Sequence, residues 1–179
     1  TCALPIYSVT PSMYRKLPFD PIRDLVAVSQ VTGSVLVLVA SAKQPATTLQ
    51  ALVALGKQKP GGLNYGSTGV GTAGHLAVEM VNLVTGAGMV HVPYKGDAPL
   101  INALIAGEVQ VGMAASGAVI ANVQGGRLRA LAVTGFKRIA VMPDVPTLPE
   151  AGVPGLDLSS WIGAFAPAGT PTEAINRFQ

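Results

Sequence analysis

The chain has a single cysteine, Cys2, in 179 residues, and only two histidines, His75 and His91. A lone thiol excludes an internal disulfide and a thiolate metal cluster. Two histidines with no H-E-x-x-H or comparable spacing do not compose a typical zinc site, so no metal and no cofactor are expected. Charged residues are 12% of the chain and aromatics 5%. The Lys and Arg behind the net charge of +3 are scattered. With no basic run and few rings on which bases could stack, nucleic acid is not expected as a partner. Long apolar runs are missing too: residues 35–40 are few, and residues 109–123 are interrupted by Gln, Ser and Asn, so no segment is long and apolar enough to span a bilayer and direct membrane insertion is not expected. The start carries no charged segment followed by an apolar core of the secretory type. Neither an internal repeat nor a low-complexity tract is found.

What the chain does have is Ala, Val and Leu: hydrophobic residues make up 49%, enough to bury a core in one or two domains. The most informative stretch is residues 63–84, LNYGSTGVGTAGHLAVEMVNLV. It opens as the end of a short strand and passes through Gly66, Ser67, Thr68, Gly69, Val70 and Gly71. It then becomes a helix with Thr72 as candidate N-cap and with Leu76, Met80 and Leu83 at spacings of three and four on one face. A strand that turns through glycine into a helix leaves backbone N–H groups unpaired where the helix dipole is positive, which suits a small anion. Ser67, Thr68 and Thr72 could add hydroxyl donors. A plainer reading of the same residues is a tight turn made by Gly66, Gly69 and Gly71, with Thr72 acting only as a cap.

Three better-known motifs compete for this loop. Residues 69–74, GVGTAG, spell the G-x-G-x-x-G dinucleotide fingerprint in the right strand-to-helix context. The ribose-binding acid expected about 20 residues on is absent from residues 91–95, HVPYK, and Asp97 beyond them is expected to cap the next helix. Gly66 and Gly71 have P-loop spacing, but Thr72 stands where the phosphate-binding Lys belongs. Tyr65 replaces the first glycine of a nucleophile elbow.

Taken in order, residues 7–17 read as a short helix and residues 25–31 and 35–40 as strands or one bent strand. A helix follows Thr47 and Thr48, with Leu49, Leu52 and Leu55 at helical spacing, giving a β-α-β unit with the strand before the glycine loop. Residues 89–92 read as a strand, 97–106 as a helix with Leu100, Ile101, Leu104 and Ile105 inward, and 109–113 as a strand. Residues 118–124 follow as a helix and 128–134 as a strand. This alternation predicts a parallel sheet covered on both faces. Residues 143–155, with four prolines, read as a surface loop at a lobe boundary. Residues 159–166 follow as a strand whose Trp161 is a core aromatic, and a last helix starts at Thr172.

Five segments together carry a family resemblance: LNYGSTGVGTAGHLA, HVPYKGDAPLINALIAGEVQ, GRLRALAVTG, MPDVPTLPEAG and SSWIGAFAPAGTP. In this order and spacing, from residue 7 to residue 179, the chain resembles the solute-binding proteins of tripartite tricarboxylate transporters, the Bug-type family. The resemblance implies an α/β type II periplasmic binding protein fold, in which two lobes joined by crossing strands close on a ligand in the cleft. Carried over, residues 7–40 are part of the first lobe and a crossing strand, and residues 41–135 the second lobe with the anion-binding loop. Residues 136–179 are the proline-rich connection, the return crossing and a further part of the first lobe. Residues 1–6 do not match, most of the first lobe has no counterpart, and both ends are read as cut.

The resemblance places a ligand carboxylate at Gly66, Ser67, Gly69, Gly71, Thr72 and His75. Thr68 belongs to the same loop, and Tyr94 and Ser116 are expected beside it at the end of the sheet where α/β proteins bind ligands. Where many family members carry an aromatic and a polar or acidic residue after the strand at 109–113, this chain has Ala114, Ala115 and Ser116, implying a smaller or more apolar pocket for the distal ligand end. His75 is as well explained by packing under the loop, and Lys95 by solvation. The leading expectation is a monomeric, non-catalytic periplasmic binding protein that delivers a small carboxylate to membrane transporter subunits. The alternatives are a dinucleotide-binding enzyme built on Gly69, Gly71 and Gly74, and, ranked lowest, a hydrolase using Ser67 and His75.

Overall fold

A computed structural model describes residues 2–3, 9–154 and 160–178. Its elements run β1 (Cys2–Ala3), α1 (Thr10–Met13), β2 (Leu25–Ser34), β3 (Leu36–Ser41), α2 (Leu49–Gln58), β4 (Asn64–Ser67) and α3 (Ala73–Thr85). They continue through β5 (Val90–Pro93), α4 (Asp97–Ala106), β6 (Val111–Ala115), α5 (Ser116–Gln124), β7 (Leu128–Val133), β8 (Ser160–Pro167) and α6 (Thr172–Asn176). They form two units, residues 1–34 with 160–179, and residues 35–159. The strand pair expected at residues 25–40 is divided between them, β2 in the first and β3 in the second.

The first unit is a three-stranded antiparallel sheet in the order β1-β8-β2. The helix expected over residues 7–17 is the single turn α1, since Pro11 suits a first turn while Tyr14 at its C-cap is extended and bends follow; residues 7 and 8 lie outside the described residues. Trp161, half-buried, tilts against Phe165 with ring centroids 6.2 Å apart.

The second unit is an α/β layer structure around a five-stranded sheet in the order β5-β4-β6-β3-β7. It differs from the expected all-parallel sheet. β4 runs parallel to β5 and β6, but β3 is antiparallel to both β6 and β7, so β3, α2 and β4 are not a parallel β-α-β unit. All six residues of β3 are buried. A strand covered on both faces reads the same in either direction, so the apolar run could not reveal its orientation.

Side-chain alternation along β4 decides what each helix covers. Tyr65 points to the side of α3, whereas Gly66 points to the side of α4: a Cβ on Gly66 would stand 2.3 Å from Leu100 Cδ1, and one on the neighbouring Gly112 2.8 Å from Leu104 Cδ1. Leu100, Ala103 and Leu104 of α4 join Val37, Val39, Val119 and Val133 in one core cluster. Ile101 and Ile105, expected inward, are half-buried at its margin.

On α3, the row expected to form the apolar face lies outward, with Leu83 80% and Met80 38% exposed. The buried face is Ala73, Gly74, Ala77, Val78 and Val81. Small residues let the helix lie close to the sheet: a Cβ on Gly74 would stand 2.9 Å from the Met113 carbonyl. The proline-rich segment also departs from expectation. It does not merely cross the surface: Thr147 bridges Val133, and Leu148 and Val153 are fully buried. Thr147 and Glu150 form a reciprocal capping box, with Thr147 N–H to Glu150 Oε2 at 2.8 Å and Glu150 N–H to Thr147 Oγ1 at 3.2 Å, so the prolines shape a packed turn.

Candidate anion-binding site

The loop between β4 and α3 lies at the edge where the parallel strands β4, β5 and β6 end. Gly69 and Gly71 have φ of 143° and 77°, which side-chain-bearing residues rarely adopt. Thr72 is the N-cap as expected, accepting from His75 N–H at 3.4 Å, while its hydroxyl donates to Gly69 O at 2.8 Å. Gly86 in the left-handed conformation ends the helix.

Side chains brace this loop from within. The fully buried Ser67 hydroxyl lies 3.0 Å from Gly69 O, accepts Gly69 N–H at 3.2 Å and lies 2.7 Å from His91 Nε2. Gly71 N–H donates to His75 Nδ1 at 3.1 Å. Among the described residues, the N–H groups of Thr68, Val70, Ala73 and Gly74 have no acceptor, and Ala73 and Gly74 are buried. Two of these unpaired donors lie on the loop and two in the first turn of a 13-residue helix, where the helix dipole is positive.

Behind the loop is a cluster that sequence reasoning missed. His75 and His91 stack with centroids 4.1 Å apart, Tyr65 stacks on His91 at 4.8 Å, and the Tyr65 hydroxyl donates to Glu79 at 2.5 Å. Burial, reinforced by Glu79, raises the Tyr65 phenol well above its ordinary value. Burial and then the neighbouring His75 lower His91, with Glu79 opposing. The signal was present as i,i+4 spacing of His75 and Glu79. Placing His91 beside Tyr65 needed the β4–β5 register, in which they are partners.

The other expected residues fall around this centre. Gly66 is buried under Leu100 and the Tyr94 ring and serves close packing. Thr68 is half-buried on the loop. Tyr94 follows β5, its N–H donating to Ser67 O at 2.9 Å, and its half-buried ring packs on the core; burial, then Glu108, raises its phenol. Ser116 begins α5 at the same edge, with its N–H on Val35 O at 3.0 Å. Lys95 is exposed. Asp97 does not cap its own helix: Gly96 takes the cap position, and burial raises the Asp97 pKa, with the Ala115 backbone opposing. Its Oδ1 is buried without a partner among the described residues. In the G-x-G-x-x-G spelling, Gly74 serves helix-to-strand contact, and β5 ends in Val92 and Pro93 with no acid at the ribose position.

Fold and loop define an α/β unit of the periplasmic-binding-protein kind, with unpaired backbone donors at a helix start on the sheet edge. Residues 2–179 match the tripartite tricarboxylate transporter family receptor, and the chain belongs to that family. It is 36% identical over 164 residues to protein BugT of Bordetella pertussis, an alignment spanning 92% of this chain and 50% of that protein. Among solved structures it is similar to R. palustris Rpa4515 with adipate, with TM-score 0.87 and 35% identity, covering 92% of this chain and 55% of that one. It is also similar to MatC (Rpa3494) from Rhodopseudomonas palustris with bound malate, with TM-score 0.90 and 26% identity, covering 98% and 60%. The chain thus spans about half the length of the relatives it matches.

Proposed function

We propose that this chain is the anion-capturing part of a non-catalytic, extracytoplasmic solute-binding receptor that takes up a small carboxylate and passes it to the membrane subunits of a tripartite transporter. The observation that carries the reading is the set of unpaired N–H groups of Thr68, Val70, Ala73 and Gly74 at the start of α3. A carboxylate there accepts from backbone donors held in place beforehand, and little reorganisation is needed on binding. Ser67 and Thr72 act mainly by fixing the loop, since their hydroxyls already bond to Gly69 and His91. Adipate and malate in the similar structures support a dicarboxylate as the ligand class. Ala115 at the end of β6 and Ser116 at the start of α5 offer small side chains to the far end of such a ligand, whereas Ala114, expected beside them, is buried in the core cluster.

The test is a thermal-shift series of the chain with adipate, malate and NAD. A bound ligand at about 100 times its dissociation constant stabilises by ~2.7 kcal/mol. A shift with either dicarboxylate that is reduced in Thr72→Ala supports capture at the loop. A shift with NAD alone, or none with either dicarboxylate, overturns it.

A further inference from the structure

Free and held donors alternate along the glycine loop. The N–H groups of Thr68 and Val70 have no acceptor among the described residues, whereas Gly69 N–H is held by Ser67 Oγ at 3.2 Å and Gly71 N–H by His75 Nδ1 at 3.1 Å. The held glycines have φ of 143° and 77°, so these bonds fix the backbone where it is freest to turn. Both holding side chains meet one residue of β5, His91. Its Nε2 lies 2.7 Å from Ser67 Oγ, and its ring stacks on His75 at 4.1 Å and on Tyr65 at 4.8 Å.

Donor counting sets the direction of the Ser67–His91 bond. Gly69 O already accepts from the Thr72 hydroxyl at 2.8 Å and from Thr72 N–H at 3.3 Å, which fills both lone pairs of a carbonyl. The single Ser67 proton is therefore left for His91 Nε2, the nearer acceptor, and the Ser67 lone pairs for Gly69 N–H. His91 is then neutral with its own proton on Nδ1, and burial favours that neutral form.

We propose that His91 is a positioning residue for anion capture: by accepting the Ser67 hydroxyl and backing the His75 ring, it fixes the Gly69 and Gly71 N–H groups and leaves those of Thr68 and Val70 set for a small carboxylate. It acts through Ser67 and His75 rather than on the ligand. The role rests on the anion-site reading above and adds to it a residue outside the loop.

The experiment follows the chain above pH 7 by imidazole 15N and backbone amide NMR, with adipate as the probe. The expected result is that the His91 proton sits on Nδ1 and moves largely to Nε2 in Ser67→Ala, which leaves Nε2 without its donor. His91→Phe keeps a ring for the stack and removes the acceptor. It is expected to weaken adipate about tenfold, the size of one hydrogen bond, and to add little once Ser67 is already Ala. Amide exchange at Gly69 should quicken in His91→Phe while that at Val39 in β3 stays as in the parent. A His91 proton that rests on Nε2 in the parent overturns the proposal, and this holds even if His91→Phe does not fold. Affinity and Gly69 exchange unchanged in His91→Phe overturn it while leaving the anion site standing. Exchange that quickens equally at Gly69 and Val39 reduces His91 to a core residue and overturns it too. Loop amides that never shift with adipate in the parent overturn both readings.

Discussion

The two units differ in what they bury. Every large apolar side chain that is fully buried among the described residues lies between residues 36 and 153, whereas the sheet of β1, β8 and β2 leaves Val26, Val31 and Ile162 exposed. The sheet under the glycine loop is therefore covered on both faces by helices, and the three-stranded sheet draws little from burial among the described residues. The difference teaches that the candidate site stands on a unit with its own core. Its loop geometry is set by contacts within residues 35–159, from Leu100 under Gly66 to Met113 under Gly74.

The largest effect that could break this contrast is expected at Leu100, fully buried between α4 and the sheet. Leu100→Ala should lower stability by about 2–5 kcal/mol in urea unfolding; a loss under 1 kcal/mol would show that the second unit is not the stabilising one. Thr72→Ala comes next, at about 1 kcal/mol from the lost N-cap, with a further loss of adipate affinity because Gly69 O is no longer held. An unchanged melting temperature would remove Thr72 from the scaffold of the loop.

A smaller effect follows from His91. Its lowered pKa means that the unfolded chain binds the proton first as pH falls, so the contribution of neutral His91 is complete above the ordinary value of 6.5 and is lost as pH drops through the lower folded value. Stability measured from pH 7 to pH 5 should fall, and His91→Gln should flatten that fall; a curve of the same shape in the variant would remove His91 as its source. Smallest of all is Val31→Ala in β2, a side chain 65% exposed, expected within about 0.5 kcal/mol of the parent. A loss as large as that of Leu100→Ala would erase the contrast between the units.

Much of the site's frame was legible in the residues. Gly66 to Thr72 between an apolar strand and a helix identified the loop, Thr72 its cap, and Gly107 the end of a helix that runs from Asp97 to Ala106 as read. These features rest on local dihedral preferences and capping, which a few neighbouring residues determine. The inward face of α3 was misread because Leu76, Met80 and Leu83 outweigh Ala77, Val78 and Val81 in hydrophobicity. Closeness to Met113 required the smaller residues instead.

By itself, then, the sequence determined the strand–glycine–helix loop, the alternation of elements that builds an α/β unit, and membership of the family through five segments in register. Only the tertiary structure decided that β3 runs against its neighbours, that residues 146–148 extend the sheet edge beside β7, and that Ser67 meets His91 while His75 holds Gly71 N–H. The physical reason is range. Turn chemistry and caps act over three or four residues, whereas the direction of a doubly buried strand and the meeting of side chains 24 residues apart depend on strand register, which forms only when the core closes.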